Sequence, residues 1–117
     1  MIVRKDELTP IDFEGLKIFD FTGNAGLSSS IAIISAPAGS VHATAWSRRS
    51  DKYYLVIGGS IQFTLGEKEI VLKAGDFCLV RQGQSFSYKN AGPIDAQLVL
   101  VHTPSFDLAS EVFVNQH

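Results

Sequence analysis

The feature that most constrains this chain is its rhythm. Short apolar runs, rich in β-branched and aromatic residues, alternate with clusters of Gly, Pro, Asn, Asp and Ser. No run keeps apolar residues at helical spacing over a useful length, so many short strands are expected. The pattern predicts strands at residues 17–21, 29–35, 39–46, 52–57, 60–65, 68–72, 77–81, 85–89 and 96–103. Ala36-Pro37-Ala38-Gly39, Gly58-Gly59, Leu65-Gly66-Glu67-Lys68, Lys73-Ala74-Gly75-Asp76, Gly83 and Asn90-Ala91-Gly92-Pro93 punctuate them. Gly58-Gly59 supplies the positive φ that a tight hairpin needs. The gaps leave no room for crossover helices, which argues for an antiparallel sandwich or closed barrel. Residues 106–114 suit either a short helix or a last strand.

Composition removes several classes of function. A chain of 117 residues fits one domain, 1–117, and can bury a core without disulfides or metal. The formal net charge is -2 and the ten basic residues are scattered, so no basic stripe for nucleic acid is present. The longest apolar runs, such as 31–34, are too short to span a bilayer. The one cysteine, Cys78, lies in the run Phe77-Cys78-Leu79-Val80 and reads as a core thiol. Met1-Ile2-Val3-Arg4-Lys5-Asp6 lacks the long apolar segment of a secretory leader, so a cytoplasmic protein is expected.

Residues 39–90 carry two spaced motifs. The later one reads from Gly75 through Gly83 to Asn90, and the earlier one from Gly39 to Gly58. In this framework the chain resembles the cupin superfamily. The resemblance implies an all-β, single-domain antiparallel double-stranded β-helix, or jelly-roll barrel. It divides the chain into an N-terminal arm and first strand at 1–25, a barrel at 29–103 and a tail at 104–117. The family's first motif places two His and one Glu as metal ligands, and its second adds a His. Here those positions hold Ala45, Ser47, Asp51 and Phe86, and Arg81 replaces the usual Pro. The turn glycines are kept and most metal ligands are not. One carboxylate does not hold a transition metal well, so no metal and no other cofactor is expected.

What remains at the barrel mouth suggests a polar pocket. Asp51 would accept hydrogen bonds from a hydroxylated ligand, Ser47 and Tyr53 would add polar contacts, and Phe86 an apolar wall. Alternation puts Tyr53 on the face of Asp51. The first motif tolerates one more residue, so Gly59 can serve as its closing glycine. Lys52 then replaces Asp51 at the mouth, and Arg48 and Lys52 would hold a carboxylate or phosphate. The zero-adjustment reading, with Asp51 inward, is the expectation. His42 is three residues before Ala45, so alternation turns it to the opposite face. His102 shares a face with Leu98 and Leu100, and His117 is terminal.

Three functions follow. The first is a metal-independent barrel that binds a small polar or hydroxylated metabolite, as a sensor or accessory protein. The second is a metal-free isomerase or epimerase with His102, Tyr53 and Asp51 as acid–base residues. The third is a degenerate barrel with a structural role in a dimer. The expected partners are a small-molecule ligand and a second copy of the chain, without nucleic acid or membrane. Family members often dimerise by swapping an N-terminal strand, and Ile11, Phe13, Leu16, Ile18 and Phe19 would supply the apolar contacts here.

Overall fold

The computed structural model describes residues 1–23 and 25–114, so His117 lies outside the described residues. Two antiparallel sheets face each other. The first contains β1 (Ile11–Phe13), β2 (Leu16–Asp20), β3 (Ser30–Ala36), β5 (Asp51–Gly58), β8 (Phe77–Val80) and β10 (Ala96–Thr103). Its strand order is β1-β2-β3-β10-β5-β8. The second contains β4 (Val41–Ser47), β6 (Ser60–Leu65), β7 (Lys68–Lys73), β9 (Phe86–Lys89) and β11 (Glu111–Phe113). Its order is β11-β4-β9-β6-β7. This is the antiparallel double-stranded β-helix expected from the sequence. All nine predicted strands form, with ends within two residues of expectation. β1 and β11 are additional, and residues 108–110 before β11 make a single 3-10 turn.

Period-two patterning explains which faces meet. On β10, Ala96, Leu98, Leu100 and His102 point inward, and on β5, Lys52, Tyr54 and Val56 do. Ile61 and Phe63 of β6 and Phe86 and Tyr88 of β9 face them from the other sheet. Rings dominate this core: Phe63 stacks on Phe86 and Tyr88 with centroids 6.0 and 5.5 Å apart, and Tyr54 meets Phe63 edge-on at 5.3 Å. Cys78 is half-buried against the same core, and burial pushes its thiol pKa up.

The motif residues have visible structural duties. Asn90 is buried; its amide donates to the carbonyls of Ala36 and Ile94, and its Oδ1 accepts from Gly92 N. Gly59 has φ +66, and a Cβ there would come within 2.7 Å of the Asp95 carbonyl oxygen. Gly58 has neither constraint; its nearest neighbour would be the Gln97 Cβ at 3.9 Å. Gly59 is therefore the conformationally required glycine, which corrects the expected motif register by one residue. In the N-terminal arm Leu16 is in the core, and Phe13 and Ile18 lie against it. Among the described residues, no helix is long and apolar enough to cross a membrane.

Candidate functional site

The one-residue correction decides what lines the barrel. Lys52 pairs with His102 across β5 and β10 on the inner face, while Asp51 pairs with Thr103 at the strand end. Asp51 lies outside the cavity: its Oδ1 accepts from Gln82 N at 2.8 Å and anchors the turn after β8. Tyr53 shares the outward face with Asp51, as alternation predicts, and packs near Phe77 at 6.1 Å. Ser47 is buried, but its hydroxyl accepts from the backbone N–H of Arg49 and Ser50, at 3.2 and 3.0 Å. Phe86 is in the core beneath the cavity and does not line it. Arg48 stacks on Trp46 at 5.0 Å, so it does not join Lys52. Of the three acid–base candidates His102, Tyr53 and Asp51, only His102 faces inward. The other two occupy the opposite side of β5 and cannot meet it.

The cavity has a volume of about 280 Å³. Ile11, Phe13, Leu16 and Ile18 of the arm, Ala32 and Ile34 of β3, and Phe106, Leu108 and Phe113 of the tail form its apolar wall. The polar groups on it are Asp20, Ser30, His42, Lys52, Tyr54, Tyr88, His102 and Glu111. Asp20 is occupied at the rim, where its Oδ1 accepts from Thr22 and Gly23 N–H groups. Ser30 Oγ accepts from Phe106 N at 2.8 Å and ties the tail down.

His42 reverses the sequence expectation. β4 pairs with β9 as His42↔Tyr88 and Ala45↔Phe86, so three steps on one strand match two on the other. This β-bulge adds a residue and returns His42 to the inner face. The bulge also brings the Ala43 carbonyl within 2.7 Å of His42 Nδ1. A carbonyl only accepts, so Nδ1 carries the proton and donates it. Burial holds the His42 pKa below the usual imidazole range. The ring is therefore neutral near pH 7, with Nε2 as its acceptor. Tyr88 and Phe86 flank it at 5.0 Å each, and Phe13 at 5.6 Å.

The tyrosines are donors. Burial pushes both Tyr54 and Tyr88 pKa values far up, so both phenols stay protonated. Tyr88 Oη is the buried side-chain polar atom without a hydrogen-bond partner among the described residues. An orphan of this kind costs about 1–3 kcal/mol, which marks it as a site for an oxygen acceptor from elsewhere.

The opposite end of the cavity holds a network. Lys52 Nζ donates to Glu111 Oε1 and to His102 Nε2, the latter at 2.8 Å. Its cation also lies 5.5 Å from the Phe86 ring centre and 5.9 Å from that of Phe106. Burial and the Lys52 charge push the His102 pKa down to about 3, so this ring is neutral and accepts. Burial lowers the Lys52 pKa while the Glu111 carboxylate opposes the shift. Glu111 had no signal in the sequence, because it sits in a three-residue strand inside a segment without clear periodicity.

The metal-ligand positions implied by the resemblance are now Ala45, Ser47, Lys52 and Phe86. None offers a donor suited to a divalent cation, and Lys52 is itself a cation. Among the described residues, no group of three or more His, Cys, Asp or Glu converges as a metal site.

Comparisons with known proteins agree with this architecture. The cupin domain family model matches residues 32–102. No curated protein matches the sequence. Pac13, a nucleoside dehydratase, superposes with a TM-score of 0.83 at 20% identity, over 98% of this chain and 91% of that one. Structures of Streptomyces PAC13 with uridine carry a histidine replaced by glutamine or a tyrosine replaced by phenylalanine. A predicted oxalate decarboxylase from Thermotoga maritima gives a TM-score of 0.80 at 23% identity, over 89% of this chain and 99% of that one. KdgF from Halomonas sp. gives 0.80 at 16% identity, over 89% and 93%. At these identities the likeness shows the fold alone.

Proposed function

This chain belongs to the cupin family, and from that premise we propose that its barrel is a metal-independent acid–base enzyme acting on a small hydroxylated, nucleoside-like ligand. The observation that carries the reading is His42: a neutral imidazole, oriented through Nδ1, beside the unpartnered phenol of Tyr88. Its Nε2 takes a proton from a ligand carbon. Tyr88 Oη donates a hydrogen bond to a ligand oxygen, and Tyr54 is the second phenol on the wall. The proton held on His42 is then returned at another carbon, an isomerisation, or is passed to a ligand hydroxyl that leaves as water, an elimination. The replacement of metal ligands by Ala45, Ser47, Lys52 and Phe86 supports a route without metal. The resemblance to a nucleoside dehydratase, structures of which hold uridine, and a pocket that carries His42, Tyr54 and Tyr88, support the nucleoside-like class.

A second reading is binding without turnover, favoured by the largely hydrocarbon wall.

The test is thermal unfolding with uridine after chelation, with metal content measured in parallel. Ligand at ten times Kd adds about 1.4 kcal/mol, a rise of roughly 6 °C. Tyr88→Phe is expected to lose most of that shift, and His42→Gln to keep binding and lose turnover. Binding that requires a stoichiometric metal, or no binding of any nucleoside, overturns the proposal. Binding with no change in the ligand selects the second reading.

A further inference from the structure

We propose that Lys52 captures carbonyl compounds: its amine condenses with a small aldehyde or ketone in the cavity to form an imine, with Glu111 moving the protons. The inference goes beyond the acid–base reading, because His42 and Tyr88 take no part in it.

The placement of Lys52 carries it. Its side chain has 4% exposure to the outside, yet it lines the cavity. Lys68 and Lys73, by contrast, stand exposed on the outer surface. The nitrogen is held by two partners of different kind, a carboxylate and a neutral imidazole. A lysine that served the fold alone would be replaceable by hydrocarbon, since a buried ion pair stabilises little over well-packed apolar residues. Here the pair stands at the wall of a cavity lined mostly by apolar side chains. Desolvation disfavours the ammonium there, and a neutral lysine amine is a nucleophile.

The steps balance without an added reagent. The ammonium passes one proton to Glu111, and the freed lone pair attacks the carbonyl carbon. The C–N bond forms as the carbonyl oxygen takes a second proton from nitrogen, giving a carbinolamine. Glu111 returns its proton to the new hydroxyl, which leaves as water, and the nitrogen lone pair closes the C=N bond. An iminium beside a carboxylate then replaces the ammonium beside a carboxylate, so net charge is unchanged. His102 Nε2 accepts an N–H and orients the nitrogen. The Phe86 and Phe106 faces stabilise the delocalised cation.

Reductive trapping tests the inference. The full chain is incubated at pH 7 with glycolaldehyde and cyanoborohydride, and the adducts are located by peptide mass mapping. Lys52, with Glu111 beside it to take its proton, is expected to be alkylated at least about tenfold faster than the exposed Lys68 and Lys73. Glu111→Gln is expected to slow the Lys52 adduct by about tenfold or more and to leave the exposed lysines unchanged. Trapping at Lys52 is read without any nucleoside, so the absence of nucleoside binding or turnover leaves this result standing. Adducts confined to Met1 and exposed lysines, with Lys52 unmodified in the folded wild-type protein, overturn the proposal. An undiminished Lys52 rate in Glu111→Gln overturns the role of Glu111.

Discussion

The Lys52–Glu111 pair joins the tail to the barrel wall, and its removal has calculable consequences. The two side chains keep 4% and 5% exposure, so neither charge is rescued by bulk water when its partner goes. Breaking a buried pair from one side costs about 3–5 kcal/mol, because the remaining charge stays buried and unpaired. Glu111→Ala leaves the ammonium with only the neutral His102 and two aromatic rings. Lys52→Met leaves the carboxylate with less. Against the roughly 5–15 kcal/mol that holds a small domain together, either loss is a large fraction. At roughly 4 °C per kcal/mol, Tm is expected to drop by about 12–20 °C in each single variant. The double variant Lys52→Met, Glu111→Leu removes both charges and returns apolar volume, so it is expected near wild-type stability or above it. Urea unfolding followed by circular dichroism, read as a double-mutant cycle, gives the coupling energy. Because the pair is buried, the losses are expected to change little between low and moderate salt. Single variants within about 1 kcal/mol of wild type, or a double variant that costs the sum of the singles, would refute the reasoning.

Other outcomes follow from the same geometry. His102 has a pKa of about 3 in the fold against an ordinary 6.5, so between those values the unfolded chain binds a proton that the folded chain does not. Stability is therefore fully present above about pH 6.5 and falls on acidification towards pH 3, by about 1.4 kcal/mol per unit at most; His102→Gln is expected to flatten this limb, and an unchanged slope counts against it. Gly59→Ala forces a Cβ onto the Asp95 and Ala96 backbone at 2.7 and 2.9 Å with φ +66, and is expected to cost more than about 2 kcal/mol; Gly58→Ala, measured beside it, should cost clearly less. On the outer face of the larger sheet, register aligns Phe19, Ile33, Val99, Leu55 and Phe77 in one row and Val101, Tyr53 and Leu79 in the next. Neither row contains a charged residue, although Lys5 Nζ lies 4.1 Å from the centre of the Phe19 ring at one end, and we expect a dimer centred on Leu55 that Leu55→Lys dissociates; a monomeric wild type by light scattering would sink this expectation.

The sequence by itself determined the strand pattern, because that pattern is local. Alternation of apolar residues and the turn residues between them settle where each strand begins and ends without reference to the rest of the chain. The fold class followed from the same signals together with the spaced glycines and Asn90. The inward-facing set did not follow, because a strand's facing depends on register, and register is set by contacts distant in sequence. Asp51 and Lys52 are both compatible with the local pattern; the choice falls to Lys52 because the pairing of β5 with β10 sets it beside the inward-facing His102. His42 was turned inward by a bulge that exists only in the pairing of β4 with β9. Glu111 became a site residue because three residues of the tail pair with β4 and bring a carboxylate to Lys52, 59 positions away in the chain. Period two tells which residues share a face, but only the tertiary structure decides which of the two faces meets the cavity.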